Sequence, residues 1–98
     1  MPYLVLFFAG ALLCNAIPHL ASGLRGESFY TPWARPRGVG KSSALENFIW
    51  GCFNLFLGLL LARHARPLFL PGGPLPLLAG FLVTGCALSI IFSRRNEG

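Results

Sequence analysis

Ser43-Ala44-Leu45-Glu46-Asn47-Phe48-Ile49-Trp50-Gly51-Cys52-Phe53-Asn54-Leu55-Phe56-Leu57-Gly58-Leu59-Leu60-Leu61-Ala62 is an apolar run whose one charged residue, Glu46, stands near its start. At about 1.5 Å per residue, a helix of about 20 residues crosses the roughly 30 Å hydrocarbon core of a bilayer. Ser43 followed three residues later by Glu46 spells a capping box, which sets the helix start just before the apolar residues. Inside the run, Asn47, Gly51, Asn54 and Gly58 recur at intervals of four, three and four. That spacing puts all four on one helix face. Glycines there allow close backbone approach, and carboxamides in hydrocarbon must find hydrogen-bond partners. Phe48, Ile49, Phe53, Leu55, Phe56, Leu57 and Leu59 cover the remaining surface.

Two stretches of similar length lie on either side, Pro2 to Leu24 and Leu75 to Ser93. The 98-residue chain is 54% hydrophobic and 11% charged, whereas an ordinary soluble domain has about 25% charged residues. The expected fold is all-α, an integral membrane protein with three transmembrane helices and a Pro/Gly/Arg-rich cytoplasmic loop. Residues 1–98 form a single membrane domain with helices about 2–24, 43–62 and 75–93 and loops 25–42 and 63–74. A secretory leader requires a basic n-region and a short apolar core. No Lys or Arg precedes Arg25 and the apolar run is too long, so the first segment reads as a retained helix.

Net charge is +5. Arg25, Arg35, Arg37 and Lys41 lie in the first connection, Arg63 and Arg66 in the second, and Arg94 and Arg95 at the C-terminus. With three spans the first connection and the C-terminus share a side, and the positive-inside rule makes that side cytoplasmic, with the N-terminus outside. The basic balance reads as topology and as attraction to anionic lipid at the cytoplasmic face. Nucleic-acid binding would need a folded basic surface with base-reading groups, for which nothing here provides.

The first helix carries Ala11, Asn15, Ser22 and either Pro18 or His19 at helical spacing, a small and polar stripe that should face protein. Pro18 removes one backbone hydrogen bond, so a kink is expected there. In the first connection Tyr30, Trp33, Arg35, Arg37 and Lys41 form a membrane-surface loop, its aromatic and basic side chains suited to the headgroup zone. The loop either folds over the ends of the helices or serves as a tether. In the third helix Gly80, Thr84 and Ala87 make one small face, with Gly85 and Ser89 beside it.

Antiparallel pairing of the first two helices brings His19 to the level of Phe48, and Asn15 to that of Cys52. Asn15, His19, Glu46, Asn47, Gly51, Asn54 and Gly58 are thus the expected site: an intramembrane polar pocket, or a helix-packing face held by interhelical hydrogen bonds. Gly40-Lys41-Ser42 mimics the end of a P-loop, but Arg35 occupies the position that needs glycine and no strand of a parallel sheet precedes it. Cys14, Cys52 and Cys86 fall at comparable depth, where thiols act more often as small apolar filler than as metal ligands. His19 and His64 sit near opposite ends and cannot share a haem. No catalytic residue, metal or cofactor is implied.

Asn15-Ala16-Ile17-Pro18-His19, Thr31-Pro32-Trp33-Ala34-Arg35-Pro36, Ser42-Ser43 and Asn47-Phe48-Ile49-Trp50-Gly51-Cys52-Phe53-Asn54 together resemble a group of small, functionally uncharacterised bacterial membrane proteins. The resemblance covers Asn15 to Asn54 and implies a bacterial inner-membrane setting without a catalytic assignment. The expected function is non-enzymatic: an accessory, assembly or scaffold subunit that docks through its Gly/Asn helix faces and basic loop, as a homo-oligomer or within a larger membrane complex. The alternatives are an oligomeric small-solute or ion transporter using the Asn/His pocket, or a binder of lipid or quinone head groups.

Overall fold

The computed structural model describes residues 1–36 and 40–97. Its principal elements are α1 (Pro2–Leu24), α2 (Ala44–Ala65) and α3 (Leu75–Glu97), each long and apolar enough to cross a membrane. A multi-pass membrane protein is compatible with this set of helices. Between α1 and α2 the first connection forms a two-stranded antiparallel ribbon, β1 (Phe29–Tyr30) with β2 (Lys41–Ser42), in register Phe29 to Ser42 and Tyr30 to Lys41. Of the two readings of this connection, a folded element and a tether, the structure has the folded one. Arg37, one of the loop residues singled out above, lies outside the described residues.

Two helices outrun their expected ends. Helix α2 continues through Arg63, His64 and Ala65 because nothing there resists helical dihedrals. It stops where Arg66 adopts the left-handed conformation (φ 51°, ψ 63°), followed by a 3-10 turn over Pro67–Phe69. Helix α3 continues past Ser93 through Arg94 and Arg95, both good helix formers whose charge suits a helix C-terminus. Helix α1 is continuous through Pro18.

Helix α1 is the middle of the molecule, packed against α2 on one side and α3 on the other, while α2 and α3 meet only marginally. The molecule is a flat three-helix layer of 43 × 25 × 20 Å. Its interior holds small and polar side chains: Ala9, Ala16, Cys14, His19, Ser22, Asn47 and Asn54 are buried, with Leu6 the one large aliphatic side chain fully enclosed among the described residues. Its exterior carries Phe8, Ile17, Ile49, Phe53, Phe56, Leu60, Leu82 and Val83, all well exposed. This arrangement inverts the soluble pattern and is the one expected where the surroundings are as apolar as leucine, so that packing and hydrogen bonds hold helices together.

The two seams of α1 are built differently. Toward α2, glycines face side chains with backbone close behind: a Cβ on Gly51 would lie 2.7 Å from the Leu20 side chain and 2.9 Å from its backbone nitrogen, and one on Gly58 would lie 3.0 Å from the Leu13 side chain and 3.1 Å from the Ala9 carbonyl oxygen. Toward α3, backbone meets backbone. A Cβ on Gly10 would lie 1.9 Å from the carbonyl oxygen of Leu77, and one on Gly80 would lie 1.9 Å from that of Phe7.

The start of α2 follows the capping-box expectation. The Ser43 hydroxyl accepts the Glu46 amide at 3.2 Å, and a Glu46 carboxylate oxygen accepts the Ser43 amide at 3.1 Å. Ser43→Ala removes one arm and should cost about 1 kcal/mol. A shift of that size in the midpoint of a denaturing-detergent titration checks it.

Candidate functional site

Asn47 is the most connected side chain of the interior. It is fully buried on α2, and its Nδ2 donates to the carbonyls of Phe29 (3.2 Å), Ser42 (3.1 Å) and Ser43 (3.0 Å). An amide nitrogen has two hydrogens, so one of the three contacts is shared. These acceptors fix the orientation of the amide and leave its Oδ1 to accept a hydrogen bond. His19 Nδ1 lies 2.7 Å from that oxygen. The imidazole therefore carries its proton on Nδ1 and donates to Asn47, leaving Nε2 without a partner among the described residues.

About two turns deeper, Asn15 Nδ2 donates to Asn54 Oδ1 at 3.2 Å, and Asn54 Nδ2 returns to the Trp50 carbonyl at 2.8 Å. Four of the singled-out residues, Asn15, His19, Asn47 and Asn54, thus meet across the α1–α2 seam at about the expected levels. Gly51 and Gly58 lie between and beyond them on the same buried face. That Gly/Asn face, expected to dock onto other chains, is occupied by α1 of the same chain.

Glu46 stands apart from this network. One oxygen caps α2 and the other accepts the indole N–H of Trp33 at 3.2 Å. The carboxylate thereby ties the loop to the helix start at a point facing away from His19. The ribbon is held from inside as well, where Thr31 and Ser42 hydroxyls share a hydrogen bond and both residues are buried. Trp33 packs edge-on against Trp50 (5.2 Å between ring centroids), and Trp50 stacks on Phe53. Arg35 and Lys41 are exposed on the loop.

Sequence reasoning missed the part that α3 contributes at this end. The ring of Phe92 packs against Phe29 and stacks on Tyr30. The Arg95 guanidinium lies 4.5 Å from the centre of the Tyr30 ring, and the Lys41 ammonium approaches the same ring at 5.3 Å. Tyr30, Phe92 and Arg95 rim a cavity of about 240 Å³ between α1, α3 and the ribbon. Asn15, His19, Tyr30, Trp50 and Arg95 supply its polar groups. The Trp50 indole N–H is buried with no hydrogen-bond partner among the described residues. A buried donor in that state costs about 1–3 kcal/mol unless something accepts from it. The aromatic and basic residues were visible in the sequence, but nothing in local spacing says how α3 is rotated about its axis.

A second hollow, of about 850 Å³, lies at the opposite end beside Arg63, His64 and Arg66. Those side chains are all exposed, and the hollow holds no anchored polar group among the described residues. The cysteines are dispersed in environment, with Cys14 buried, Cys52 half-buried and Cys86 exposed. Among the described residues no three His, Cys, Asp or Glu side chains converge. No family model, curated protein or solved structure matches this chain.

Proposed function

We propose that this chain is a non-enzymatic accessory or scaffold subunit of a membrane assembly, in a bacterial inner membrane with the N-terminus outside and the ribbon and C-terminus in the cytoplasm. One observation carries the reading: the polar side chains of the α1–α2 seam are engaged with each other and with the backbone, while the outer helices keep large apolar faces uncovered. Only 6% of the apolar window of α3 is buried within the chain, against 33% for α1. A transport path would instead need polar side chains facing a continuous wet route. The folded, basic ribbon end gives such a subunit a rigid cytoplasmic face, fixed to α2 through Asn47 and Glu46.

Gentle extraction followed by native mass spectrometry tests the proposal. The expected result is a fixed stoichiometry, either several copies of this chain or one copy with a constant partner, matched by cross-linking in intact membranes. A monomer in every mild detergent, with no cross-linked partner in the membrane, overturns it. So does selective solute flux through proteoliposomes containing the chain alone.

A further inference from the structure

The cavity rimmed by Arg95 has a composition and a continuation that point to one kind of ligand. Among the described residues its lining contains basic, aromatic and amide groups and no carboxylate. Of the described acidic side chains, Glu27 pairs with Arg25, and Glu46 is taken by Ser43 and Trp33. Arg95, half-buried against Tyr30 and Phe92, has no salt-bridge partner among the described side chains. Trp50 also lines the cavity, and its buried indole N–H has no partner among the described residues. These groups favour an anion. His19 adds a different demand: Nδ1 donates to Asn47, so in its neutral form the ring offers a lone pair at Nε2, which accepts from a hydroxyl.

Size and surroundings restrict the anion further. At about 240 Å³ the cavity is below the roughly 300–1,000 Å³ of sites that enclose a whole small-molecule ligand. It does not end there. Leu88 and Phe92 are shared with a second hollow of about 240 Å³ in the α1–α3 seam, whose other walls include Ile17, Pro18, Phe81 and Gly85. From Phe92 to Phe81 the seam descends about 16 Å along α3, at about 1.5 Å per residue. A polar cavity thus adjoins an apolar trough running toward the middle of the spans. The polar end is also the basic end, where Arg25, Arg35, Lys41, Arg94 and Arg95 gather and where the potential favours anionic lipid.

We infer that this cavity takes the head of an anionic phospholipid with a hydroxylated head group, its phosphate facing Arg95, its hydroxyl His19, and an acyl chain in the α1–α3 trough. The site is independent of the scaffold role, since it needs only one chain and one lipid. Phosphatidylglycerol is the appropriate probe, and phosphatidylcholine with the same acyl chains is the control.

The full chain is purified in a neutral maltoside detergent, each lipid is added in turn, and native mass spectrometry follows lipid retention under collisional activation. One phosphatidylglycerol per chain should remain at energies that strip phosphatidylcholine. Arg95→Gln should lower retention at least tenfold. Arg94→Gln, which removes the same charge from an exposed neighbour outside the cavity, should leave it within twofold. Leu88→Trp fills the shared wall without touching any charge and should also abolish retention. Circular dichroism establishes that each variant is folded, and if Arg95→Gln is not, Leu88→Trp decides. Equal retention of the two lipids overturns the inference, as does equal loss in Arg94→Gln and Arg95→Gln, which would mean diffuse charge attraction. Displacement of phosphatidylglycerol by an equal concentration of glycerol phosphate also overturns it, because the site would then serve a soluble anion.

Discussion

Asn47→Leu is expected to destabilise the molecule by about 2–4 kcal/mol, more than any other single truncation in the α1–α2 seam. The volume is nearly conserved, so the loss is in hydrogen bonding. Three backbone carbonyls lose their donor, and His19 loses the acceptor that holds its ring. The carbonyls of Phe29 and Ser42 belong to the ribbon, so the effect has a local signature. Amide exchange at residues 28–31 and 40–43 should rise much more than exchange in the centre of α1. Asn54→Leu is the comparator, because it breaks a single interhelical hydrogen bond and leaves the ribbon untouched. Its cost should be about 1 kcal/mol, with no change in ribbon exchange. A denaturing-detergent titration with hydrogen-exchange mass spectrometry reads both quantities. Equal costs for the two variants would show that Asn47 does not fasten the ribbon.

Gly80→Leu, or Gly10→Leu, should detach α3. At these positions even a methyl group would overlap the facing helix backbone at 1.9 Å, and backbone, unlike a side chain, has no other rotamer to move into. Relief comes only by separating the helices, at a cost of about 3 kcal/mol. A cross-link reports this directly. A Cβ built at Gly85 lies 3.4 Å from the Cys14 sulfur, so Gly85→Cys places two thiols within reach of a disulfide, whose Cβ atoms are about 3.8 Å apart. Oxidation in membranes should cross-link the Gly85→Cys protein almost completely. Adding Gly80→Leu should reduce the cross-link to a small fraction. Gly51→Ala is a milder change by the same reasoning, since the nearest obstacle is the Leu20 side chain at 2.7 Å and the nearest backbone atom lies 2.9 Å away rather than 1.9 Å.

How much of this was legible before the structure depends on the range over which each feature is encoded. The buried face of α2 was readable because Asn47, Gly51, Asn54 and Gly58 obey helical spacing within a dozen residues. Counting inward along two antiparallel helices brought Asn15, His19, Asn47 and Asn54 to neighbouring levels, and the structure resolves them into the pairs His19–Asn47 and Asn15–Asn54. The ribbon was not readable. Strands of two residues have no period, and theirs is fixed by a side chain of the following helix. The tight crossing of α1 and α3 left only a faint trace, in that Gly10 and Cys14, like Gly80 and Thr84, are small residues four apart. Nothing marked Gly10 above the other small residues of α1. The cavity at Arg95 was the least visible feature, because it depends on the rotation of α3 about its own axis, set by contacts more than 60 residues apart in the chain, such as Phe29 with Phe92.

The central position of α1 also bears on the sequence of events during synthesis. Every partner of the Asn47 clasp, and of the Asn15–Asn54 pair, occurs within the first 54 residues. The emerging chain can therefore close its first hairpin and fasten the ribbon before α3 has left the ribosome. The cavity beneath Arg95, by contrast, has one wall missing until α3 arrives, so occupancy there would distinguish chains with α3 in place from those still lacking it.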